Sequence, residues 1–210
     1  MSARTEILER IHGALSDRPE VPTVPRAYMA ESELDEAELI RLLIDRLVDY
    51  KAQVSVVDHQ DVSTRINELL AGASSYVLPS GLDPDWLTTA EGKDDHRRRM
   101  DSIDAPLGIS ELDNIDTVIT GSAVSVAETG TIILDGSPNQ GRRAISLVPD
   151  HHICVVRAGD IVGILPEALR RLDGTRPITM ISGPSATSDI ELERVEGVHG
   201  PRRLDVIIAR

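Results

Sequence analysis

The sequence predicts an α/β protein with a mostly parallel sheet and helices on both of its faces. From Ser32 onward, short β-branched runs alternate with helical patterns, which is typical of parallel strands joined by crossover helices. Apolar residues form 40% of the 210-residue chain, which is enough to bury a sizeable core and excludes disorder for most of it. That core must be aliphatic, because the chain contains no Phe and one Trp.

The first 30 residues are predicted to form an arm outside the main domain, which spans residues 31–210. Four apolar residues of the arm have helical spacing and would share one face of a short helix: Ile7, Leu8, Ile11 and Leu15. Pro19, Pro22 and Pro25 then favour an extended segment. Because a short isolated helix is marginal in water, two interpretations stay open: a simple linker, or an arm that forms a homodimer by laying its helix on a second copy.

The first half of the main domain is predicted to begin with a helix near Ser32, where Asp35 and Glu36 favour a helical first turn. Its buried face would consist of Leu34, Leu39, Ile40, Leu43, Leu47 and Val48. The next elements are a strand at 53–57, a helix at 61–71, a strand at 75–78 and one or two helical turns at 83–90. The charged stretch 91–104 is expected to be a solvated loop or an exposed helix.

The second half is richer in strand patterns. Residues 122–128 and 131–135 flank Thr129-Gly130 and predict a tight hairpin, which would add antiparallel pairing to the sheet. Further strands are predicted at 117–120, 153–157, 178–182 and 204–209. Helices are predicted at 161–172 and from Ser188.

Charge and cysteine content exclude several classes of function. With a formal net charge of −13 and few aromatic residues, the chain lacks the basic surface and stacking platforms of nucleic-acid-binding proteins. The single cysteine, Cys154, permits no internal disulfide and cannot by itself hold a zinc ion or an iron–sulfur cluster. No apolar run is long enough for a membrane span or a secretion signal, so we expect a cytoplasmic protein.

The first candidate site is the loop from Gly183 to Ser188, between a predicted strand and a predicted helix. Small side chains such as Ser185 and Thr187 leave backbone N–H groups free to converge on an anion at the helix N-terminus. Open α/β sheets usually bind ligands at the carboxyl ends of such strands. Ser188 and Glu191 also fit a capping box, so the alternative is an ordinary strand-to-helix turn.

The second candidate is Glu128, which stands between an apolar strand and the Thr129-Gly130 turn. If partly buried, its carboxylate could act as a nucleophile or general base. The alternative is a carboxylate at the end of a hairpin, paired with Arg142 or Arg143.

The third candidate is the loop at 196–203. Two glycines and a proline there would fix the imidazole of His199, and Arg202 adds planar donors that suit a carboxylate or phosphate. The alternative for His199 is a structural hydrogen bond. The adjacent His151 and His152 do not indicate a metal site, because neighbours on a strand point to opposite faces.

The last candidate is the polar loop Asn139-Gln140-Gly141-Arg142-Arg143, between the hairpin and the strand that contains Cys154. Its two arginines could face an anionic ligand or solvent, and their spacing does not decide between the two.

Four stretches together resemble the lactate-utilisation protein C family, the stand-alone LUD-domain proteins of bacteria. These are AETGTIILDG, SPNQGRRAISLVPDHHICVV, GPSATSDIELERVEGVHGP and RRLDVIIA. The resemblance covers residues 115–210 closely and 32–80 more loosely. The ordered pair of GPSATSDIE and GVHGP is its most specific part.

This resemblance implies the α/β sandwich of the superfamily of sugar isomerases, CoA-transferases and formyltetrahydrofolate cyclo-ligases. It also implies a part in the oxidation of L-lactate to pyruvate with two partner proteins, at least one of which carries iron–sulfur clusters. The single cysteine agrees with clusters held only by partners and with no cofactor in this chain. The AETG stretch is similar to the CoA-transferase motif in which a glutamate becomes acylated, although Thr129 departs from that motif.

The motif residues carry over as site candidates only. Glu128 and His199 are the catalytic candidates. The candidate ligand contacts are Gly183, Ser185, Thr187, Ser188, Thr129, Gly130, Arg142 and Arg202.

Three functional hypotheses remain. The leading one is a subunit of a lactate-oxidising assembly that binds a small anion. The second is a free-standing enzyme acting on a nucleotide, a folate or an acyl-CoA, suggested by the implied fold and by Glu128. The third is a non-catalytic scaffold whose arm makes a dimer.

Overall fold

The structure, a computed structural model, describes residues 2–17, 23–87, 95–184 and 200–210. These residues form ten strands: β1 (Gln53–Val57), β2 (Tyr76–Pro79), β3 (Arg98–Asp101), β4 (Thr117–Thr120), β5 (Val124–Val126), β6 (Thr131–Leu134), β7 (His151–Arg157), β8 (Ile161–Val162), β9 (Thr179–Ile181) and β10 (Arg203–Ala209). Six of them make one sheet in the order β1-β10-β7-β4-β2-β3, and every neighbouring pair is parallel.

The other four strands make a second, mixed sheet in the order β8-β5-β6-β9. The predicted hairpin is confirmed, since β5 and β6 pair antiparallel with Val126 opposite Thr131. Ile132 and Leu134 of this sheet share a buried cluster with Cys154 and Val206 of the large sheet. The hairpin therefore belongs to a separate layer that packs on the parallel sheet, which the strand pattern did not reveal.

The described residues form five α-helices: α1 (Ala3–Ala14), α2 (Glu36–Asp49), α3 (Val62–Leu69), α4 (Ile109–Leu112) and α5 (Leu165–Arg171). Successive residues of β7 point to opposite faces of the large sheet. Cys154 accordingly packs in the cluster that contains Leu43 and Leu47 of α2, and Ile153 packs with Val62 and Ile66 of α3. Helices thus cover both faces of a mostly parallel sheet, and the predicted fold class is confirmed.

The start of α2 differs from its prediction. Asp35 caps the helix, because its side chain accepts a hydrogen bond from the Glu38 backbone while Glu38 reciprocates to the Asp35 N–H. Ser32 lies outside the helix, where its N–H donates to Glu167. Leu34 and Val48 were assigned to the buried face, but 40% and 53% of their surfaces are exposed, so that face is narrower than the sequence indicated.

Two further predictions are wrong. The charged stretch 91–104 contains strand β3, whose Arg98–Asp101 backbone pairs with β2. An edge strand needs backbone partners more than apolar side chains, so its composition concealed it. The helix predicted from 161 begins only at Leu165, because Ile161 and Val162 pair with β5 instead.

The arm begins with the predicted helix, α1, and all of its residues are exposed. A segment without helix or strand follows over the described residues 23–35. Its end lies against α5, where Arg170 Nη2 donates to the Ala30 carbonyl at 2.7 Å. Self-association through the arm stays a prediction.

Among residues 2–17, 23–87, 95–184 and 200–210, no helix combines the length and the apolar character that crossing a membrane requires.

Candidate functional site

The structure joins two of the predicted site segments through a chain of hydroxyl groups. Thr131 Oγ1 lies 2.8 Å from Thr129 Oγ1 in the hairpin turn and 2.8 Å from Ser182 Oγ at the end of β9. Gly183 follows with a φ of +91°, and a Cβ there would lie 2.7 Å from Tyr50 Cβ. The hairpin turn and the start of the Gly183 loop are therefore fixed side by side against the end of α2.

A third predicted segment approaches the same place. A Cβ built on Gly200 would lie 3.9 Å from the Pro184 carbonyl oxygen. The remaining candidates of the two loops, Ser185, Thr187, Ser188 and His199, and the helix predicted from Ser188, lie outside the described residues.

Glu128 lies exposed in the hairpin turn. Its backbone carbonyl accepts a hydrogen bond from Arg46 Nε at 3.2 Å, and its carboxylate pairs with no residue in the described ranges. The suggested pairing with Arg142 is wrong, because Arg142 pairs with Asp101. Gly130 has a φ of +61° and sits against Arg46, where a Cβ would meet Arg46 Cβ at 2.6 Å.

Arg202 lies at the amino end of β10. Its side chain is 67% exposed, and its Nε lies 3.5 Å from Asp150 Oδ1. An exposed pair of this kind contributes little and leaves the guanidinium largely in water. The structure therefore gives Arg202 no contact with the hairpin turn or with Gly183.

The two adjacent histidines point to opposite faces, as predicted. His151 Nε2 lies 2.7 Å from Asp205 Oδ2, and its Nδ1 lies 3.2 Å from Thr117 Oγ1. His152 is fully buried with its Nε2 2.8 Å from Thr120 Oγ1, and burial lowers the pKa of its imidazole to about 3. Burial alone would raise the pKa of Asp205, but hydrogen bonds from His151 and an arginine outweigh it and lower that pKa.

A cavity of about 500 Å³ opens at the carboxyl ends of β2 and β3. We call it the arginine cavity, because three of its lining residues are Arg142, Arg143 and Arg176. Its other principal walls come from the ends of the two strands, from Leu134 and from the loop at 136–141. This position agrees with the general preference of α/β sheets for ligands at carboxyl strand ends.

Tight backbone contacts hold the loop at 136–141 on the sheet. The Gly81 and Gly121 N–H groups donate to the carbonyls of Pro138 and Asn139, at 3.2 and 2.9 Å. A Cβ on Gly81 would lie 2.4 Å from Pro138 Cβ, so the loop approaches as closely as a glycine permits. Gly141 has a φ of +71°, a conformation that favours glycine.

Buried Gln140 fixes the loop from within. Its Oε1 accepts hydrogen bonds from the backbone N–H groups of Asp135 and Gly136, at 2.6 and 3.1 Å. The polar loop singled out in the sequence is therefore a rigid element that presents its arginines to the cavity.

Two of the three arginines are neutralised by aspartates. Arg142 forms two hydrogen bonds with Asp101, whose side chain is fully buried, and this pairing raises the pKa of the Arg142 guanidinium. Arg176 Nη1 lies 3.2 Å from Asp135 Oδ2. Arg143 is exposed and forms no ion pair within the described part of the chain, which leaves it available to an anion.

Sequence reasoning found Arg142 and Arg143 but missed Arg176, Asp101 and Asp135. Nothing in the sequence around Arg176 marks it, because its partner is distant along the chain. Asp101 lies in the charged stretch that was interpreted as solvated, and no feature of that stretch predicts that its side chain is buried.

Comparisons with known proteins agree with the resemblance. The family model of the LUD domain matches residues 40–209. Lactate utilization protein C of Deinococcus radiodurans is 44% identical over 98% of this chain and 95% of its own length. An uncharacterized protein of Neisseria meningitidis is 28% identical over 99% of this chain and 93% of its own length.

A solved structure is also similar. A crystal structure of a DUF162 family protein from Deinococcus radiodurans superposes with a TM-score of 0.72 at 39% identity, covering 84% of this chain and 99% of that one. The family model spans most of the chain, and a relative of nearly equal length shares close to half of its residues. The chain belongs to the LUD domain family.

Proposed function

We propose that the protein takes part in lactate utilisation and binds a small organic anion in the arginine cavity. The first part is supported by relatives named for lactate utilisation, one of them 44% identical over nearly the whole chain. The observation that carries the second part is Arg143, a cavity-lining guanidinium on a rigid loop that forms no ion pair with any residue the structure describes.

The arrangement favours an anion for physical reasons. Arg142 and Arg176 are held in place by their aspartates, so little side-chain entropy is lost when a ligand contacts their remaining N–H groups. Arg143 supplies the direct attraction, because its guanidinium has no carboxylate partner among the described residues. A carboxylate bound there would replace water without disturbing either ion pair.

The redox step itself belongs, in this proposal, to partner proteins in the cytoplasm. Oxidation of lactate to pyruvate releases two electrons and two protons. The electrons would pass to iron–sulfur clusters held by a partner, since Cys154 is the chain's single cysteine and burial raises its pKa to about 12. This chain would bind the anion and support the assembly.

Growth on lactate tests the proposal. A strain lacking this protein should grow poorly on L-lactate and normally on glucose, and the wild-type gene should restore growth. An Arg143→Gln variant should restore it incompletely. The matched control is Arg41→Gln on the outer face of α2, where the side chain is 75% exposed, and this variant should restore growth fully. Unimpaired growth of the deletion strain on lactate would refute the role in lactate utilisation.

Physical association is tested separately. A tagged copy at native expression level should co-purify with proteins that contain iron–sulfur clusters when cells grow on lactate. Recovery of this chain alone, under conditions that keep other assemblies intact, would contradict the proposed partnership.

A further inference from the structure

We infer that the ligand of the arginine cavity is a monocarboxylate whose apolar body is larger than that of lactate. The inference rests on the proposed anion binding in this cavity and narrows it to a chemical class. It also means that the ligand of the cavity is a molecule other than lactate.

The charges of the cavity admit a single negative group. Asp101 and Asp135 neutralise Arg142 and Arg176, so Arg143 is the cation left over within the described structure. Asp104, an exposed carboxylate, lines the same cavity.

A second negative group on the ligand would therefore meet carboxylates, with no further unpaired cation among the lining residues that the structure describes. The net charge of −13 adds to the repulsion. Nucleotides and acyl-CoA esters carry several negative charges and fit this lining poorly. A single carboxylate satisfies Arg143 and leaves the two ion pairs intact.

The size and the walls of the cavity indicate the rest of the ligand. A volume of about 500 Å³ lies within the roughly 300–1,000 Å³ of pockets that enclose drug-sized molecules. A three-carbon acid would leave most of that space to water. Apolar surfaces line the remainder, from Pro79, Ile103, Leu134, Pro138 and Pro177. An apolar body placed on them would be removed from water, which favours binding.

Calorimetric titration of the full-length protein tests the class. The probes are octanoate, its uncharged analogue octanamide, L-lactate and adenosine monophosphate. Octanoate should bind at least tenfold more tightly than each of the other three. Octanamide tests the need for charge, lactate tests the need for size, and the nucleotide tests the limit on charge.

Three variants place the binding in the cavity. Arg143→Gln should weaken octanoate binding at least tenfold. Ile103→Asp puts a carboxylate at a position that is 86% exposed, so it should not disturb folding. It should also weaken octanoate binding. Arg41→Gln should bind octanoate like the wild type.

The outcomes separate the two proposals. Tighter binding of lactate or of the nucleotide, with the same dependence on Arg143, would overturn the monocarboxylate class while leaving anion binding in place. Equal affinities for octanamide and octanoate would also overturn it. So would an octanoate affinity that neither Arg143→Gln nor Ile103→Asp changes. If none of the anions bound in a manner that depends on Arg143, anion binding in the cavity would itself fail.

Discussion

Arg142 and Asp101 connect the loop after β6 to the end of β3 through two hydrogen bonds, Nε to Oδ2 at 2.9 Å and Nη2 to Oδ1 at 2.5 Å. Both residues also hold Leu107, whose N–H donates to Asp101 Oδ1 and whose carbonyl accepts from Arg142 Nη2. Paired donors and acceptors of this kind fix geometry as well as charge. The pair therefore sets the relative positions of three segments around the arginine cavity.

Removing one partner of this pair should destabilise the protein. In Arg142→Met, the fully buried Asp101 carboxyl group loses the two hydrogen bonds that Arg142 donates to it. We expect the free energy of unfolding to fall by about 2–4 kcal/mol, measured by urea titration at pH 7.

The neighbouring arginine is the control for that variant. Arg143→Gln removes one positive charge from the same loop, as Arg142→Met does, but it breaks no ion pair within the described ranges. The expected change in the free energy of unfolding is therefore below about 0.5 kcal/mol. Equal stability of Arg142→Met and Arg143→Gln would show that the Asp101 pair does not hold the loop.

Substitution of the glycine that turns the loop should also destabilise the protein. Gly141 has a φ of +71°, and a Cβ there would lie 2.8 Å from both Pro79 Cβ and Ile145 Cδ1. Gly141→Ala should therefore lower the free energy of unfolding by at least about 1 kcal/mol and shift the arginines that line the cavity. Gly159→Ala is the control, because a Cβ at Gly159 meets open space. A Gly141→Ala variant as stable as Gly159→Ala would contradict this packing.

Stability should decline in mild acid because of His152. Burial lowers the pKa of its imidazole from the usual 6.5 to about 3, so the folded protein excludes a proton that the unfolded chain binds. The stability that comes from the neutral His152 imidazole is fully present above pH 6.5 and is lost as the pH falls towards 3. A proton bound only by the unfolded state costs about 1.4 kcal/mol per pH unit, or about 2 kcal/mol between pH 7.5 and pH 5.

His152→Gln removes this titration and should flatten the difference between unfolding free energies measured at pH 7.5 and pH 5. Wild type and variant differ only at residue 152, so the comparison reports on this imidazole. Replacement of exposed His12 by Gln should leave the wild-type difference unchanged. An unaltered pH dependence in His152→Gln would mean that the buried imidazole already accepts a proton in the folded state.

The fold class was predictable because its signals are local. Runs of β-branched residues predict strands, and the helical spacing of apolar residues around Leu43 and Leu47 predicts a helix with one buried face. Both patterns involve residues close together in the sequence. Strand β3 and the separate hairpin sheet were not predictable in this way. An edge strand rich in arginine and a second layer are determined by pairing between distant segments.

The candidate site likewise has features that could be predicted from the sequence and features that could not. The loop that carries Arg142 was identified from its glycine and its arginines, which are local features. The partner of Arg142 is Asp101, 41 positions away. Neither segment contains a sequence pattern that predicts this pairing. Gly81 and Gly121 let that loop rest on the ends of the strands, and this contact between distant segments helps to form the cavity.

The hydroxyl chain of the hairpin offers a direct measure of coupling between two predicted site segments. Thr131 Oγ1, in a side chain that is largely buried, lies between the hydroxyls of Thr129 and Ser182. Thr131→Val keeps the shape but removes the central hydroxyl, and should cost about 1–2 kcal/mol of unfolding free energy.

A double-mutant cycle assigns that cost to the hydrogen bond with Ser182. If the bond joins the hairpin to the Gly183 loop, Thr131→Val and Ser182→Ala remove the same interaction. The double variant should then be more stable than the sum of the single changes predicts, by about 0.5–1 kcal/mol. Thr179→Val with Ser182→Ala is the reference pair, because Thr179 shares no hydrogen bond with Ser182 in the described structure. Additive losses for Thr131 and Ser182 would show that the two segments are adjacent without being coupled.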